Sequence, residues 1–272
     1  MFSDVFKVSN GVRQGGILSP AFFNLYMNDL SVALTKEGYG CQINGNVINH
    51  LFYADDSVLL SPSPFALQKL LDICDRFAKD VDLTYNTKKS FCICVKPKMY
   101  KNLYIPKIFL NGSMLPFTPS HKYLGILLDE TQSDDNDILR VRKLMYAQGN
   151  KLICHFNKCT DDVKVKLFKT YFNSFYGITL WSQYKTVSRK KIVTAYKQVF
   201  RKLMHIVMPQ GTSTKMVALS IDPFEVIERK MIYGFMNRIN NSENCIVKCI
   251  SNSEFYMSSQ LYINWSDKLH HI

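Results

Sequence analysis

Phe52-Tyr53-Ala54-Asp55-Asp56-Ser57-Val58-Leu59-Leu60 sets two adjacent carboxylates at a break between two apolar runs. Phe52-Tyr53 and Val58-Leu59-Leu60 are made of strand-forming residues, and an Asp pair between them is turn chemistry. The local reading is a tight hairpin with Asp55 and Asp56 at its turn. Carboxylates placed so close repel one another unless they share a divalent cation. Mg²⁺ suits such a pair because it takes hard oxygen ligands and keeps water or phosphate oxygens in the rest of its shell. Paired ions about 3.5–4 Å apart clamp both ends of a phosphoryl displacement. In isolation an Asp-Asp turn is most often a plain surface turn, so its neighbours decide the reading.

Upstream stands Gly11-Val12-Arg13-Gln14-Gly15-Gly16-Ile17-Leu18-Ser19-Pro20, followed by apolar residues at helical spacing: Phe22, Leu25, Tyr26, Leu30 and Leu34. This is a Gly-rich loop feeding a helix, and Gly15-Gly16 leave backbone that a nucleotide or a template strand can approach closely. The order Gly-Val-Arg-Gln-Gly-Gly-x-Leu-Ser-Pro, helix, Phe-Tyr-Ala-Asp-Asp resembles the palm of reverse transcriptases, most closely those of non-LTR retrotransposons of the LINE and jockey type. Leu83 to Ser90, with Asn86, Lys89 and Ser90, looks like the palm motif that follows, and His121-Lys122-Tyr123-Leu124-Gly125-Ile126 looks like the primer grip. Tyr176-Gly177 with Trp181 is similar to a thumb pattern of the same family.

The resemblance implies RNA-directed DNA synthesis, with an RNA template, a DNA primer and deoxynucleoside triphosphates as partners and Mg²⁺, or Mn²⁺ in its place, as the cofactor. Asp55 is the first metal ligand and Asp56 the second. Tyr53 stands by the primer end, and Arg13, Gln14 and Gly15 line the template and nucleotide pocket. Lys89, with Lys88 as competitor, protonates or neutralises the leaving pyrophosphate, since a Lys pKa responds to its surroundings. Tyr123, Leu124 and Gly125 support the primer backbone, while Tyr176, Gly177 and Trp181 read as packing residues. The family also carries a third metal-binding Asp on an upstream palm strand. Ten residues precede Gly11 here, and Ser3 to Val8 looks like the strand just before the loop. The expectation is a region that begins inside the palm and is inactive alone. Two alternatives remain: a non-catalytic nucleic-acid-binding remnant, and a group II intron maturase-like enzyme, whose loop usually has Pro where Arg13 stands.

The predicted fold class is α+β. A partial polymerase palm, an antiparallel sheet with packed helices, occupies residues 1–132; a basic helical thumb spans 133–240; a C-terminal extension of uncertain structure follows over 241–272. Ser63-Pro64 reads as an N-cap and first helical residue, opening a helix through Leu67, Leu70, Leu71, Cys74, Phe77 and Val81. Phe91 to Val95 reads as a strand, Asn111-Gly112 is a hairpin turn, and Tyr123 to Leu128 returns to the sheet. Helices are predicted at 136–156, 161–181 and 189–207, and Asp222-Pro223-Phe224-Glu225 reads as a capping box opening a helix to Asn240.

Of the 272 residues, 47 % are hydrophobic, enough for a core, and the net charge of +12 is unevenly spread. Residues 138–230 hold 18 Lys and Arg against 5 Asp and Glu, whereas residues 1–137 hold 13 against 14. A one-signed block of this kind is the footprint of a polyanion, and Arg189, Lys190 and Lys191 are its expected contacts with a nucleic-acid backbone. No apolar run approaches the roughly 18 residues of a membrane span, and Met1 to Asn10 lacks the apolar core of a secretory signal. An intracellular location, nuclear or cytoplasmic, is expected. The eight cysteines contain no Cys-x-x-Cys pair and read as reduced, mostly as core residues. Cys245 and Cys249 with His270-His271 lack the spacing of a zinc knuckle.

Overall fold

The computed structural model describes residues 11, 13, 15–95, 104–207 and 211–270. The predicted strand over Ser3 to Val8, Gln14 of the loop, His271 and the side chain of His270 lie outside the described residues. The chain divides into two compact units, Met1–Cys92 with Asn102–Pro116, and Ile93–Lys101 with Phe117–Ile272.

In the first unit α1 (Ser19–Lys36) is followed by two hairpins, β1 (Cys41–Ile43) with β2 (Asn46–Ile48) and β3 (His50–Tyr53) with β4 (Asp56–Leu59), then α2 (Pro64–Asp80) and a third hairpin, β5 (Ile108–Leu110) with β6 (Ser113–Leu115). Helix α2 starts as its sequence predicts: the Ser63 side chain accepts the Ala66 amide at 3.2 Å and Pro64 fills the first turn. Helix α1 forms where expected, but it buries only Met27, Leu30 and Leu34, against Leu70, Ile73 and Cys74 of α2. Its predicted face is exposed at the N-terminal end, with Phe22 at 55 % and Leu25 at 72 %. A second small cluster joins Leu71 and Cys92 to Ile108, Leu110 and Leu115. Gln68 of α2 ties that hairpin down, its side-chain amide donating to the Phe109 carbonyl at 2.9 Å and accepting the Phe109 amide at 2.8 Å.

The second unit opens with a fourth hairpin, β7 (Ser120–Tyr123) and β8 (Ile126–Asp129), and is helical from there. Helices α3 (Asp135–Phe156), α4 (Asp161–Phe172), α5 (Thr186–Leu203), α6 (Thr212–Ala218) and α7 (Phe224–Asn240) surround one continuous core that includes Phe168, Phe172, Tyr196, Phe200 and Phe224. Helix α3 meets α5 closely at Gly149, where an added Cβ would lie 2.6 Å from a Val199 methyl carbon. The C-terminal segment forms α8 (Cys245–Ser251), α9 (Glu254–Met257) and α10 (Gln260–His270). It is anchored by fully buried Trp265, whose indole donates to the Thr179 carbonyl at 2.7 Å.

The α+β class holds, with differences of detail. The strands pair only as four two-stranded hairpins, not as one sheet, among the described residues. The strand expected at Phe91 to Val95 is reduced to one bridging residue, Cys92, whose amide donates to the Pro116 carbonyl at 2.9 Å; its flanks find no partner strand. Tyr123 to Leu128 forms its own hairpin in the helical unit. The helix predicted over 161–181 stops at Phe172, with Asn173 as its C-cap, and after a break of five residues that ends at Gly177, φ 88°, a short 3₁₀ turn, Ile178–Leu180, carries the chain on. The expected capping box does not form. Pro223 is the N-cap residue, while the Asp222 carboxylate pairs with Lys230 at 2.6 Å and its carbonyl accepts the Tyr196 hydroxyl.

Candidate active site

Three of the hairpins turn through a residue followed by glycine, both at positive φ: Asn44-Gly45, Asn111-Gly112 and Leu124-Gly125. That is the type I′ pattern, which suits the twist of a two-residue hairpin. The hairpin of β3 and β4 differs. Tyr53 pairs with Asp56, so the turn proper is Ala54-Asp55, and only Ala54, at φ 52°, enters the left-handed region. Such a conformation costs a residue bearing a Cβ roughly 1–2 kcal/mol. Asp56 is thus the first residue of β4 and not a turn residue. Its side chain leaves the ribbon on the same face as Tyr53, its cross-strand partner, and opposite to Phe52 and Leu59, which pack on the α1–α2 core.

Asp55 and Asp56 are exposed, and neither side chain makes a hydrogen bond or ion pair among the described residues. They offer hard carboxylate oxygens uncommitted to any cationic side chain, a donor set that fits Mg²⁺ with water or phosphate oxygens completing the shell. Among the described residues no third His, Cys, Asp or Glu joins them to form a metal-binding group.

The hairpin is held at its base by a polar network that the sequence reading missed. Asn49, 2 % exposed, donates through its side-chain nitrogen to the Leu34 and Tyr39 carbonyls at 2.7 Å each, and its own carbonyl accepts the Leu60 amide. Its side-chain oxygen is therefore the acceptor for His50 Nδ1 at 2.7 Å, which leaves His50 Nε2 to accept the Ser31 hydroxyl at 2.7 Å. Burial lowers the His50 pKa, in keeping with this neutral tautomer. Gly40 is required here, since an added Cβ would lie 2.4 Å from the Asn49 Cβ.

The Gly-rich loop closes onto the start of α1: the Arg13 carbonyl accepts the Gly16 amide at 3.1 Å and the Ser19 hydroxyl. Gly15 sits at φ 80° with nothing within 4 Å of an added Cβ, and Arg13 is exposed. Lys88 and Lys89 lie in a turn after α2, where the Asn86 carbonyl accepts the Lys89 amide and the Ser90 hydroxyl, both at 3.0 Å. Both ammonium groups are exposed. Tyr85, just before this turn, packs into the cluster that also holds Phe52 and Leu59. The loop, the carboxylate turn and the lysine turn therefore all spring from elements built on one small core.

Of the residues predicted to grip the primer, Tyr123 ends β7 and Leu124-Gly125 form the β7–β8 turn of the helical unit. Tyr176 lies over that turn, 67 % exposed, with a ring carbon 2.9 Å from where a Gly125 Cβ would stand. Trp181 is 2 % exposed and donates to Asp137 at 2.9 Å. Asp137, which the sequence reading did not single out, also accepts the Leu127 amide at 3.0 Å and pairs with Arg140 at 2.6 Å. Of the three predicted backbone contacts, Lys190 and Lys191 are exposed, whereas Arg189 pairs with buried Glu228 at 2.6 Å, beside Lys268.

Residues 3–128 match the family described as "Reverse transcriptase (RNA-dependent DNA polymerase)". The carboxylate hairpin and the glycine loop both lie within the matched segment. The chain is 26 % identical over 212 residues, 74 % of its length, to the RNA-directed DNA polymerase from mobile element jockey of Drosophila funebris. It is 36 % identical over 130 residues, 46 % of its length, to the Pol polyprotein of the type-2 retrotransposable element R2DM of Drosophila melanogaster. A third relative is the Pol polyprotein of the type-1 element R1 of Bradysia coprophila, at 30 % over 129 residues, 45 % of the chain. Over these segments the chain is similar to reverse transcriptases and to the polymerases and Pol polyproteins of jockey, R1 and R2 elements. It spans 22 % of the jockey polymerase and 12 % of each of the other two. No helix among the described residues is long and apolar enough to cross a membrane.

Proposed function

We propose that this chain contributes the second half of the palm and a thumb to an RNA-directed DNA polymerase, with Asp55 and Asp56 as its metal-binding carboxylates. The observation that carries the reading is the Ala54-Asp55 turn, which leaves both carboxylates exposed and unpaired within the segment that matches the family. A divalent cation held there, Mg²⁺ or Mn²⁺, neutralises charge that develops on the transferred phosphoryl group. Tyr53, on the face of Asp56, supports the primer end. Arg13, Gln14 and Gly15 border the template and the incoming deoxynucleoside triphosphate. Lys89 protonates or neutralises the departing pyrophosphate. Tyr123, Leu124 and Gly125 hold the primer backbone, and Lys190 and Lys191 contact phosphates. The compartment is intracellular, nuclear or cytoplasmic, where template RNA and nucleotides are present.

In this reading the Asp55 and Asp56 pair is required for primer extension. A chimaera settles it: residues 3–128 replace the matching segment of the Drosophila funebris jockey polymerase, and incorporation is measured on an RNA template. Template-dependent extension is expected, falling at least about a hundredfold with Asp55→Asn, as expected when a charge-stabilising group is lost. Extension that persists in that variant would reject the assignment of the metal pair.

A further inference from the structure

The basic block of the helical unit is divided by the fold in a way its sequence conceals. Arg189, Lys190 and Lys191 are consecutive, yet Arg189 turns to buried Glu228 while its two neighbours remain exposed. In its place a cation from another helix joins them. Arg142 and Tyr146 of α3 and Lys190, Lys191, Thr194 and Gln198 of α5 line one groove of about 210 Å³, roughly seven times the share of one water molecule in the liquid.

The groove is lined by three cations and no carboxylate. The Arg142 guanidinium lies 5.6 Å from the Tyr146 ring centre, and its Nε is buried without a hydrogen-bond partner. Among the described residues Arg142, Lys190 and Lys191 form no ion pair, whereas Arg140 and Arg189 on the same two helices both do. The Tyr146 hydroxyl donates to Gln198 Oε1 at 2.6 Å, so the Gln198 amide nitrogen is left as a donor. Three like charges and an orphaned guanidinium nitrogen gathered in one groove leave donors unmet and repulsion uncompensated. A bound anion relieves both.

We infer that the α3–α5 groove is a phosphodiester-binding site, in which Arg142, Lys190 and Lys191 together hold the backbone of a nucleic-acid strand. This rests on the proposed function and refines it by adding Arg142 to the strand contacts Lys190 and Lys191. Arginine suits the central place because its planar fork binds two phosphate oxygens at once, while the lysines add point charges at the rim.

The test is binding of a fluorescein-labelled RNA–DNA duplex to the full 272-residue chain, followed by anisotropy over a range of salt concentrations. Each lost phosphate contact flattens the slope of log K against log salt by about 0.9. Arg142→Gln is expected to flatten it by about that amount, and Arg142→Gln with Lys190→Gln and Lys191→Gln by about 2.7. Arg142→Lys keeps the slope and weakens affinity, because charge remains and the fork is lost. Arg189→Gln lowers the unfolding midpoint and leaves the slope as in the wild type. If the wild-type chain binds and the triple variant keeps its slope, the groove assignment is overturned while the polymerase reading stands. If the wild-type chain binds no duplex, the groove assignment falls, while the polymerase reading still rests on the chimaera.

Discussion

The helical unit and the hairpin unit solve the burial problem differently. In the helical unit residues from α3, α4, α5, α6 and α7 meet in one cluster, and Phe172, Tyr196 and Phe200 each pack ring to ring on Phe168. In the hairpin unit the buried residues form two small groups, one between α1 and α2 and one under β5 and β6. The strands there are three or four residues long and paired on one side only. A two-stranded ribbon is marginal by itself, so the unit that holds the proposed metal pair depends on polar clamps such as Asn49 and Gln68. The unit expected to carry the strand rests on apolar bulk.

The contrast can be broken first where the helical unit uses a polar clamp of its own. Removing the Asp137 carboxylate strands the Trp181 indole, the Leu127 amide and the Arg140 guanidinium, so Asp137→Ala is expected to cost about 3–5 kcal/mol. Both tryptophans of the chain, Trp181 and Trp265, lie in this unit, so urea unfolding followed by Trp fluorescence reads it selectively. A loss below about 1 kcal/mol would mean that apolar packing alone knits the grip hairpin to α3.

A smaller effect sharpens the other side. Burial lowers the His50 pKa below the ordinary 6.5, so the unfolded chain takes up a proton at a higher pH than the folded one. Stability of the hairpin unit is full above about pH 6.5, declines as pH falls through that value, and levels off below the folded pKa. Far-UV circular dichroism during urea titration is expected to show this decline at pH 5.5 relative to pH 7.5, with His50→Gln flattening it. An equal pH dependence in that variant would place the titrating group elsewhere.

The smallest effect concerns the carboxylate turn. Ala54 occupies the left-handed region that the other three hairpins give to Asn or Leu together with Gly. Ala54→Gly is expected to stabilise by about 1 kcal/mol or less, as relief of Cβ strain is partly offset by greater freedom of the unfolded chain. A destabilised variant would show that this turn is not strained.

What could be read in advance was what depends on neighbours in sequence. Ser63-Pro64 and Asn111-Gly112 act through their own backbone, and both take their predicted places. Phe91 to Val95 misled because a strand needs a partner that no local pattern guarantees. Asp222 looked like a cap, but Lys230, eight residues on, holds its carboxylate. Asp137 stands in the first turn of α3, where the helix dipole favours any acid, so its sequence position does not single it out. Only the fold brings it to Trp181, 44 residues away. In the site, the Asp pair and the glycine loop were legible as motifs. Asn49 was not, because a buried amide that joins Leu34, Tyr39 and His50 leaves no repeating signal, and Arg189 was indistinguishable from Lys190 until Glu228 stood opposite.

The amide of Gln68 bears on how the palm can grow. Leu110 and Ser113 close the two-residue turn as the paired position, so the Phe109 amide and carbonyl point outward from the ribbon. A strand joining on that flank would need those two groups, and one side chain already occupies both of them. Gln68 thus serves as a strand of a single residue. It terminates that edge against any incoming polypeptide and directs further sheet extension to the flanks that no side chain has sealed.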